Sequence, residues 1–481
     1  MFMLLALWQL KNQSPFQDGD TGWHIKAGEW IWRYREVPIT DPWSFTAGDT
    51  PWYNISWLFD LALALLHQVG GLTLLYILTI AAYGFIGAIL VRQALNRGAG
   101  FLSILLVFAF CGAPILAQVA LCRPQMLSAY FVLASLYVFS KDRESVSWKR
   151  LSLLPLIMAL WVNVHGGFLI LPVMFACFLI EALVAKDKVR IRRILIIGVL
   201  TALAMLLNPY GYHIAEATLR SLQSVMKANI IEWRGVSFGN DYHYAFFLLL
   251  FIIGFRPLDK SIPLAEKLFA LTVLFLTLAS IRHGLVLAVA TMPSVAVGLT
   301  RSFYESAIGE RIKSKDADFF ADMVKPKVSS AAAIACFLLI FALVLPTTRT
   351  LLAPNAASLA EGKTPERALY YMEANYANTR WLNEYGAGGL LIYYGAPEFK
   401  VAIDGRADTA YPRAYLKEYL GFSEAWGLGR RSQEFIKKYK IEGIVVATDA
   451  KLTKYLRRNI RWKRVYRDKD FTVFVKQLKT N

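Results

Sequence analysis

Charge is scarce in this chain. Of 481 residues, 18% are charged and 56% are hydrophobic, whereas ordinary soluble domains carry about a quarter charged residues. That balance excludes a soluble fold, which at this length would need far more polar surface to cover its cores. Cysteine is scarcer still. Cys111, Cys122, Cys177 and Cys336 all lie in or beside apolar runs, which argues against a disulfide framework or a metal–thiolate site. No GxxxxGK[ST] loop occurs, and no GxGxxG follows a strand pattern, so neither common nucleotide-phosphate cradle is present. Met1 to Leu10 has neither the basic stretch nor the cleavage site of a secretory signal, so it does not read as one.

Long apolar runs are what the chain has instead. Leu72 to Leu95, Phe168 to Ala185, Ala265 to Ile281 and Ser329 to Leu345 approach the roughly 20 residues that cross about 30 Å of hydrocarbon. In lipid each must be helical, because no water satisfies a free backbone group. Shorter runs complete the series: Phe101–Ala120, Met126–Ser140, Leu151–Asn163, Ile194–Leu207, Tyr244–Phe255 and His283–Thr300. Met1 to Leu10 is apolar but too short to span. It reads as the outer end of a first span whose beginning is missing, or as a start codon placed too late. The Trp-headed Trp57–Gln68 suits an interfacial helix better than a span. The fold class is therefore an α-helical polytopic membrane protein of about 10–11 spans.

The net charge of +18 follows topology and gives no sign of nucleic acid. Five alternate loops (92–97, 141–150, 186–193, 256–267 and 301–327) hold 20 Lys and Arg, and the loops between them hold nine. The positive-inside rule places the basic set in the cytoplasm, and these basic runs read as topology signals and nothing more. Residues 1–345 then form the multispan domain, with outer loops at 11–56 and 209–243 and a cytoplasmic loop at 301–328. Residues 346–481 form a soluble α/β domain outside the cytoplasm. Strands are predicted at Phe399–Asp404, Ile441–Thr448 and Phe471–Lys476, with helices at Tyr415–Leu420 and Gln433–Tyr439.

The polar residues gather on the outward side. The first outer loop holds Asp18, Asp20, His24 and Asp41 in a short aromatic-rich segment, and carboxylates at membrane depth are costly unless they work or are paired. One Asp could take a proton from an acceptor hydroxyl. Asp18 and Asp20 together could hold a divalent metal ion. An Asp before a helical run could equally be its cap. Arg123 sits at a span end as a candidate for the donor's phosphate or lipid, and His165 in Asn-Val-His-Gly-Gly and Asn208 in Asn-Pro-Tyr-Gly sit at others as candidates, with His24 and Asp41, for binding substrate. For His165 the plainer alternative is a hydrogen-bonded His in a tight turn. Arg282 and His283 lie between two apolar spans, where a cation calls for an anion such as a lipid phosphate, or else snorkels to the interface. Asp404, Arg406 and Asp408 end an apolar stretch, where a hydroxyl-rich acceptor could be held. The alternative there is an Asp–Gly–Arg turn whose ion pairs hold the domain together.

The first loop, with "RPQM", "WVNVHGGF", "LNPYG", "IRHG" and "VAIDGRADTAY", resembles bacterial multispan proteins of the GT-C glycosyltransferase superfamily. These are relatives of protein O-mannosyltransferase, aminoarabinose transferase and oligosaccharyltransferase, and the likeness covers nearly the whole chain. It implies a GT-C-like bundle in a bacterial inner membrane and a polyprenyl-phosphate-linked sugar as donor. Transfer would go to an extracytoplasmic glycan, lipid or protein. By position, Asp18 or Asp20 would be the acid/base residue, and Arg282 with His283 would face the donor phosphate. The loop reads Asp-Gly-Asp where the O-mannosyltransferases have adjacent Asp-Glu. The rival functions are a glycan polymerase or ligase using a polyprenyl-diphosphate oligosaccharide, and a non-catalytic lipid-linked sugar transporter or scaffold.

Overall fold

A computed structural model of the chain describes residues 19–48, 50–112, 121–144, 147–228, 230, 233–255, 262–304, 364–425 and 430–477. Met1–Leu10, Asp18, the end of Phe101–Ala120 and the whole of Ser329–Leu345 lie outside them. The described residues fall into two compact units, neither continuous in sequence. A helical unit takes 76–207 and 233–304. A mixed unit takes 19–75, 208–230 and 364–477. The stretch predicted as a C-terminal domain thus shares its unit with the described part of the first predicted outer loop and with 209–230 of the second, whose remainder falls in the helical unit.

In the helical unit every described run expected to span is helical. The helices are Gln125–Glu144, Leu153–Trp161, Ile170–Val184, Lys188–Ala204, Tyr242–Gly254, Leu264–Ala279 and Gly284–Tyr304, with the later part of Trp57–Asn96 and Phe101–Ile104 running into the wider-turned Leu105–Gly112. Trp57–Asn96, Gly166–Val184 and Ile281–Phe303 are long and apolar enough to cross a membrane. Their neighbours turn Leu156, Val199, Leu203, Ile252 and Phe275 outward, as a lipid-facing surface requires and a wet one discourages. Trp57–Gln68, expected at an interface, is the first stretch of the long helix, which leaves helical geometry at Gly70 and Gly71.

The basic loops of this unit do more than mark topology, which corrects the reading made from charge alone. Arg143 bonds Glu181 at 3.0 Å and Glu266 at 3.3 Å, and Arg190 bonds Glu181 at 3.0 Å. Arg193 bonds Asp142 at 3.1 Å with both side chains buried. Helices 125–144, 170–184, 188–204 and 264–279 are therefore joined at their ends by one ionic cluster.

The mixed unit is built around a four-stranded sheet in the order β1–β2–β4–β3, with β1 Trp381–Asn383, β2 Gly443–Ala447, β3 Trp462–Arg467 and β4 Phe471–Lys476. β1 and β2 are parallel, and the other pairs are antiparallel. β2, β4 and the helices Arg413–Ala425 and Arg430–Lys438 fall where the sequence predicts them. Phe399–Asp404 is not a strand, apart from one parallel bridge between Val401 and Ser44. Its backbone groups find other partners. Asn383 bonds the amide of Ala402 and the carbonyl of Ile403, and the Thr46 and Tyr415 hydroxyls both donate to the Ala402 carbonyl. A buried backbone must be satisfied, but not necessarily by a ladder.

The first outer loop is packed into this unit. Helix Asp20–Tyr34 lies against helix Gly388–Gly395 with glycine facing glycine. A Cβ on Gly22 would come within 2.5 Å of the Gly389 oxygen, and one on Gly389 within 2.3 Å of the Gly19 oxygen. Any side chain at either position would force the helices apart.

Candidate active site

The mixed unit gathers seven of the residues singled out by sequence, and Asp20 stands at its first helix. Asp20 opens the first turn of Asp20–Tyr34 and is half-buried. Its carboxylate lies over the turn at 404–406, so close that a Cβ on Gly405 would fall 1.8 Å from Oδ1. The Asp-Gly-Arg motif therefore needs its glycine, because only a bare Cα lets the carboxylate approach. Asp18 lies outside the described residues.

Beside that turn Arg406 is fully enclosed. Its guanidinium donates to Asp41 Oδ1 at 2.6 Å and to Asp404 Oδ2 at 2.6 Å, and all three side chains are 0% exposed. Trp43 and Trp52 face the guanidinium at 5.1 and 4.8 Å. Tyr411 donates to Asp404 at 2.5 Å. Burial works against the charge on Arg406, and Asp404 and Asp41 overcome it, holding the guanidinium's pKa above its ordinary value. Asp41 also accepts from the Trp43 amide and the Ser44 hydroxyl. Of the two readings of this cluster, the geometry matches the turn held by ion pairs.

A second buried set supports the same loop. His24, 4% exposed, meets Asp60 through Nδ1 at 2.6 Å. Asn54 donates to the other oxygen of Asp60 at 2.8 Å, and the Tyr210 hydroxyl accepts from the Asn54 amide at 2.8 Å. Asn208 folds its own turn, accepting from the Tyr210 amide and donating to the Gly211 carbonyl. Sequence singled out His24 and Asn208 but missed Asp60. A lone carboxylate in an apolar helix is itself a signal of pairing. Asp408, half-buried, accepts from Ser224 of the second outer loop. Burial raises its pKa, and the Ser224 contact pulls against that rise.

The other candidates lie in the helical unit. His165 caps the short turn at Gly166–Leu169; its Nδ1 accepts from the Gly167 amide at 3.0 Å and meets Ser128 Oγ at 2.8 Å. Ser128 in turn accepts from Trp161. Arg282, half-buried, lies 4.5 Å from the Trp233 ring, and His283 contacts the Ser280 carbonyl. The loop beneath Trp233 is fixed by Arg234, bonded to both oxygens of Asp241 at 2.6 and 2.7 Å. Arg123 is half-buried, just before Gln125–Glu144. No group of three or more His, Cys, Asp and Glu comes together among the described residues, so no metal centre is built from them.

No protein-family model matches the chain, and no curated protein does. Solved structures do. The oligosaccharyltransferase AglB of Archaeoglobus fulgidus, in complex with an inhibitory peptide and a dolichol-phosphate, superposes with a TM-score of 0.60 at 12% identity. The match covers 95% of this chain and 70% of that one. ArnT of Cupriavidus metallidurans, bound to undecaprenyl phosphate, superposes with a TM-score of 0.51 at 14% identity, covering 99% of this chain and 98% of that one. Both are members of the GT-C superfamily. This chain has the GT-C fold. A form of the archaeal enzyme in complex with Zn and sulfate matches as well, with a TM-score of 0.56 at 10% identity over 95% of this chain and 69% of that one. At such identities the GT-C likeness is one of fold, and it agrees with the resemblance carried by the sequence motifs.

Proposed function

We propose that this protein is a GT-C-type membrane glycosyltransferase that moves a sugar from a polyprenyl-phosphate donor to an extracytoplasmic glycan, lipid or protein, in a bacterial inner membrane with the mixed unit outside. The observation that carries this reading is Asp20. It is a half-buried carboxylate at a helix start, set against the Gly405 backbone, in a chain of this fold. A polyprenyl phosphate occupies AglB and ArnT structures of the same fold, which supports a donor of that class here.

In the proposed reaction Asp20, or Asp18 beside it in sequence, takes the acceptor hydroxyl's proton as that oxygen bonds to the anomeric carbon. The anomeric C–O bond to phosphate breaks, and polyprenyl phosphate leaves with the bonding electrons. Arg282, His283 and Arg123 are assigned to the donor's phosphate end. Asp41, Asp404 and Arg406 are assigned to joining the first outer loop to the C-terminal segment, and His24 to steadying that loop through Asp60.

The test is transfer from a labelled polyprenyl-phosphate sugar to membrane acceptors. Asp20→Asn should lower the rate about 10²–10⁴-fold, the usual loss for a positioned acid/base, without moving the melting temperature. Full transfer in both Asp20→Asn and Asp18→Asn would remove the first outer loop from the mechanism, and no transfer by the wild type would leave a scaffold or transporter as the better reading. Use of diphosphate-linked oligosaccharides alone would favour a polymerase or ligase.

A further inference from the structure

The most lopsided surface of the mixed unit is the stretch 451–467, read Lys-Leu-Thr-Lys-Tyr-Leu-Arg-Arg-Asn-Ile-Arg-Trp-Lys-Arg-Val-Tyr-Arg, which contains no acidic residue. Lys451, Lys454, Arg457, Arg458, Arg461, Lys463, Arg464 and Arg467 are all exposed. Among the described residues none of the eight makes an ion pair, whereas exposed cations elsewhere in the unit do, as in Lys438–Glu418 and Arg430–Glu434. Packing orients the stretch. Leu452, Thr453 and Leu456 bury one side of helix Lys451–Leu456, which leaves Lys451, Lys454 and Arg458 on the other. β3 is an edge strand.

Between helix and strand the chain makes a fixed turn. Asn459 accepts from the Arg461 amide at 3.0 Å and donates to the Tyr455 hydroxyl at 2.8 Å. Its tip is Ile460, 88% exposed and flanked by Arg457, Arg458, Arg461 and Lys463. Further along, β3 sends Tyr466 into an open trough of about 480 Å³ with Tyr371 and Tyr370, the last 77% exposed. Eight like charges repel one another unless an anionic surface lies against them. Ile460 decides which kind, since an exposed isoleucine ringed by cations fits a headgroup boundary and gains nothing from a phosphate chain. Interfacial lipid takes cations, isoleucine and tyrosine together.

We propose that the turn 457–463 is a docking tip for an anionic lipid surface, with Ile460 entering the headgroup boundary and the flanking arginines and lysine on lipid phosphates. This stands apart from the transfer reaction and would hold for a scaffold of the same fold. Full-length protein in nanodiscs of phosphatidylcholine, with or without phosphatidylglycerol, tests it by amide hydrogen exchange. Exchange at 457–463 should slow about tenfold with phosphatidylglycerol, given the attraction of each basic residue to an anionic leaflet, while Gly443–Ala447 exchanges alike in both. The triple variant Arg457→Glu, Arg458→Glu, Arg461→Glu should lose the difference, and Ile460→Ser should reduce it. Equal exchange of wild type in the two lipids would overturn the proposal. So would slowing by added polyphosphate in phosphatidylcholine nanodiscs with none from phosphatidylglycerol, which would mark the surface as a site for an acidic polymer.

Discussion

In the mixed unit one guanidinium, Arg406, meets carboxylates from positions 41 and 404 in a dry cage of Trp43, Trp52 and Tyr411. In the helical unit Arg143 and Arg190 share Glu181, and Arg143 also reaches Glu266, across several helix ends, with Arg143 still 25% exposed. Both regions use arginine to join parts of the chain that are distant in sequence. They differ in redundancy. Asp41 keeps the Trp43 amide and the Ser44 hydroxyl, and Asp404 keeps the Tyr411 hydroxyl, but among the described residues no second cation bonds either, whereas Glu181 keeps Arg190 and the Ala265 amide if Arg143 is lost. A buried pair costs much to break because the remaining charge is stranded, whereas a partly wet, shared one relaxes into water or onto its neighbours.

Three substitutions sharpen or break that contrast. Arg406→Ala should lower the stability of the mixed unit by about 3–5 kcal/mol, the usual penalty for a stranded buried charge, read as an earlier thermal melt in detergent. Arg143→Ala should cost about 1 kcal/mol or less in the same melt, and a loss as large as that of Arg406→Ala would collapse the distinction. Asp408→Asn should have the smallest effect and the opposite sign at neutral pH. Burial raises this carboxyl's pKa against the pull of Ser224. A carboxyl raised in the fold contributes stability while protonated and loses it as pH rises through the raised value. Asparagine should therefore flatten the decline in stability just above the ordinary Asp value of about 4, leaving the neutral-pH melt equal or slightly higher. A melt lowered by more than that of Arg143→Ala would make the Ser224–Asp408 contact a principal joint.

Much of the fold was legible residue by residue. Runs such as Phe168–Ala185 have one available structure in lipid, and Ile441–Thr448 and Phe471–Lys476 have the β-branched, bounded look of strands. β3 escaped because Trp462–Arg467 carries three cations on an edge, where charge guards the strand but hides it from a hydrophobic pattern. Phe399–Asp404 reads as a strand and is not one, because Asn383, Thr46 and Tyr415 take the hydrogen bonds a neighbouring strand would have taken. The candidate site was legible as a set of residue types: Asp20, His24, Asp41, Asp404 and Arg406 all stood out as polar groups in apolar company. Their partnerships were not. His24 with Asp60 spans 36 positions, and Asp41 with Arg406 spans 365.

The sequence by itself determined that the chain has long apolar helices, because backbone groups without water must bond within their own segment. It also determined that a polar segment with short strands ends the chain, since pattern and punctuation act over neighbouring residues. Only the tertiary structure decided what the charges are for. Whether Arg406 faces a substrate or a buried carboxylate, and whether Arg143 marks a loop or ties helix ends, depends on which distant residue arrives beside it. Coulomb attraction in a low-dielectric interior is strong only within a few ångströms, and sequence spacing carries no information about that distance.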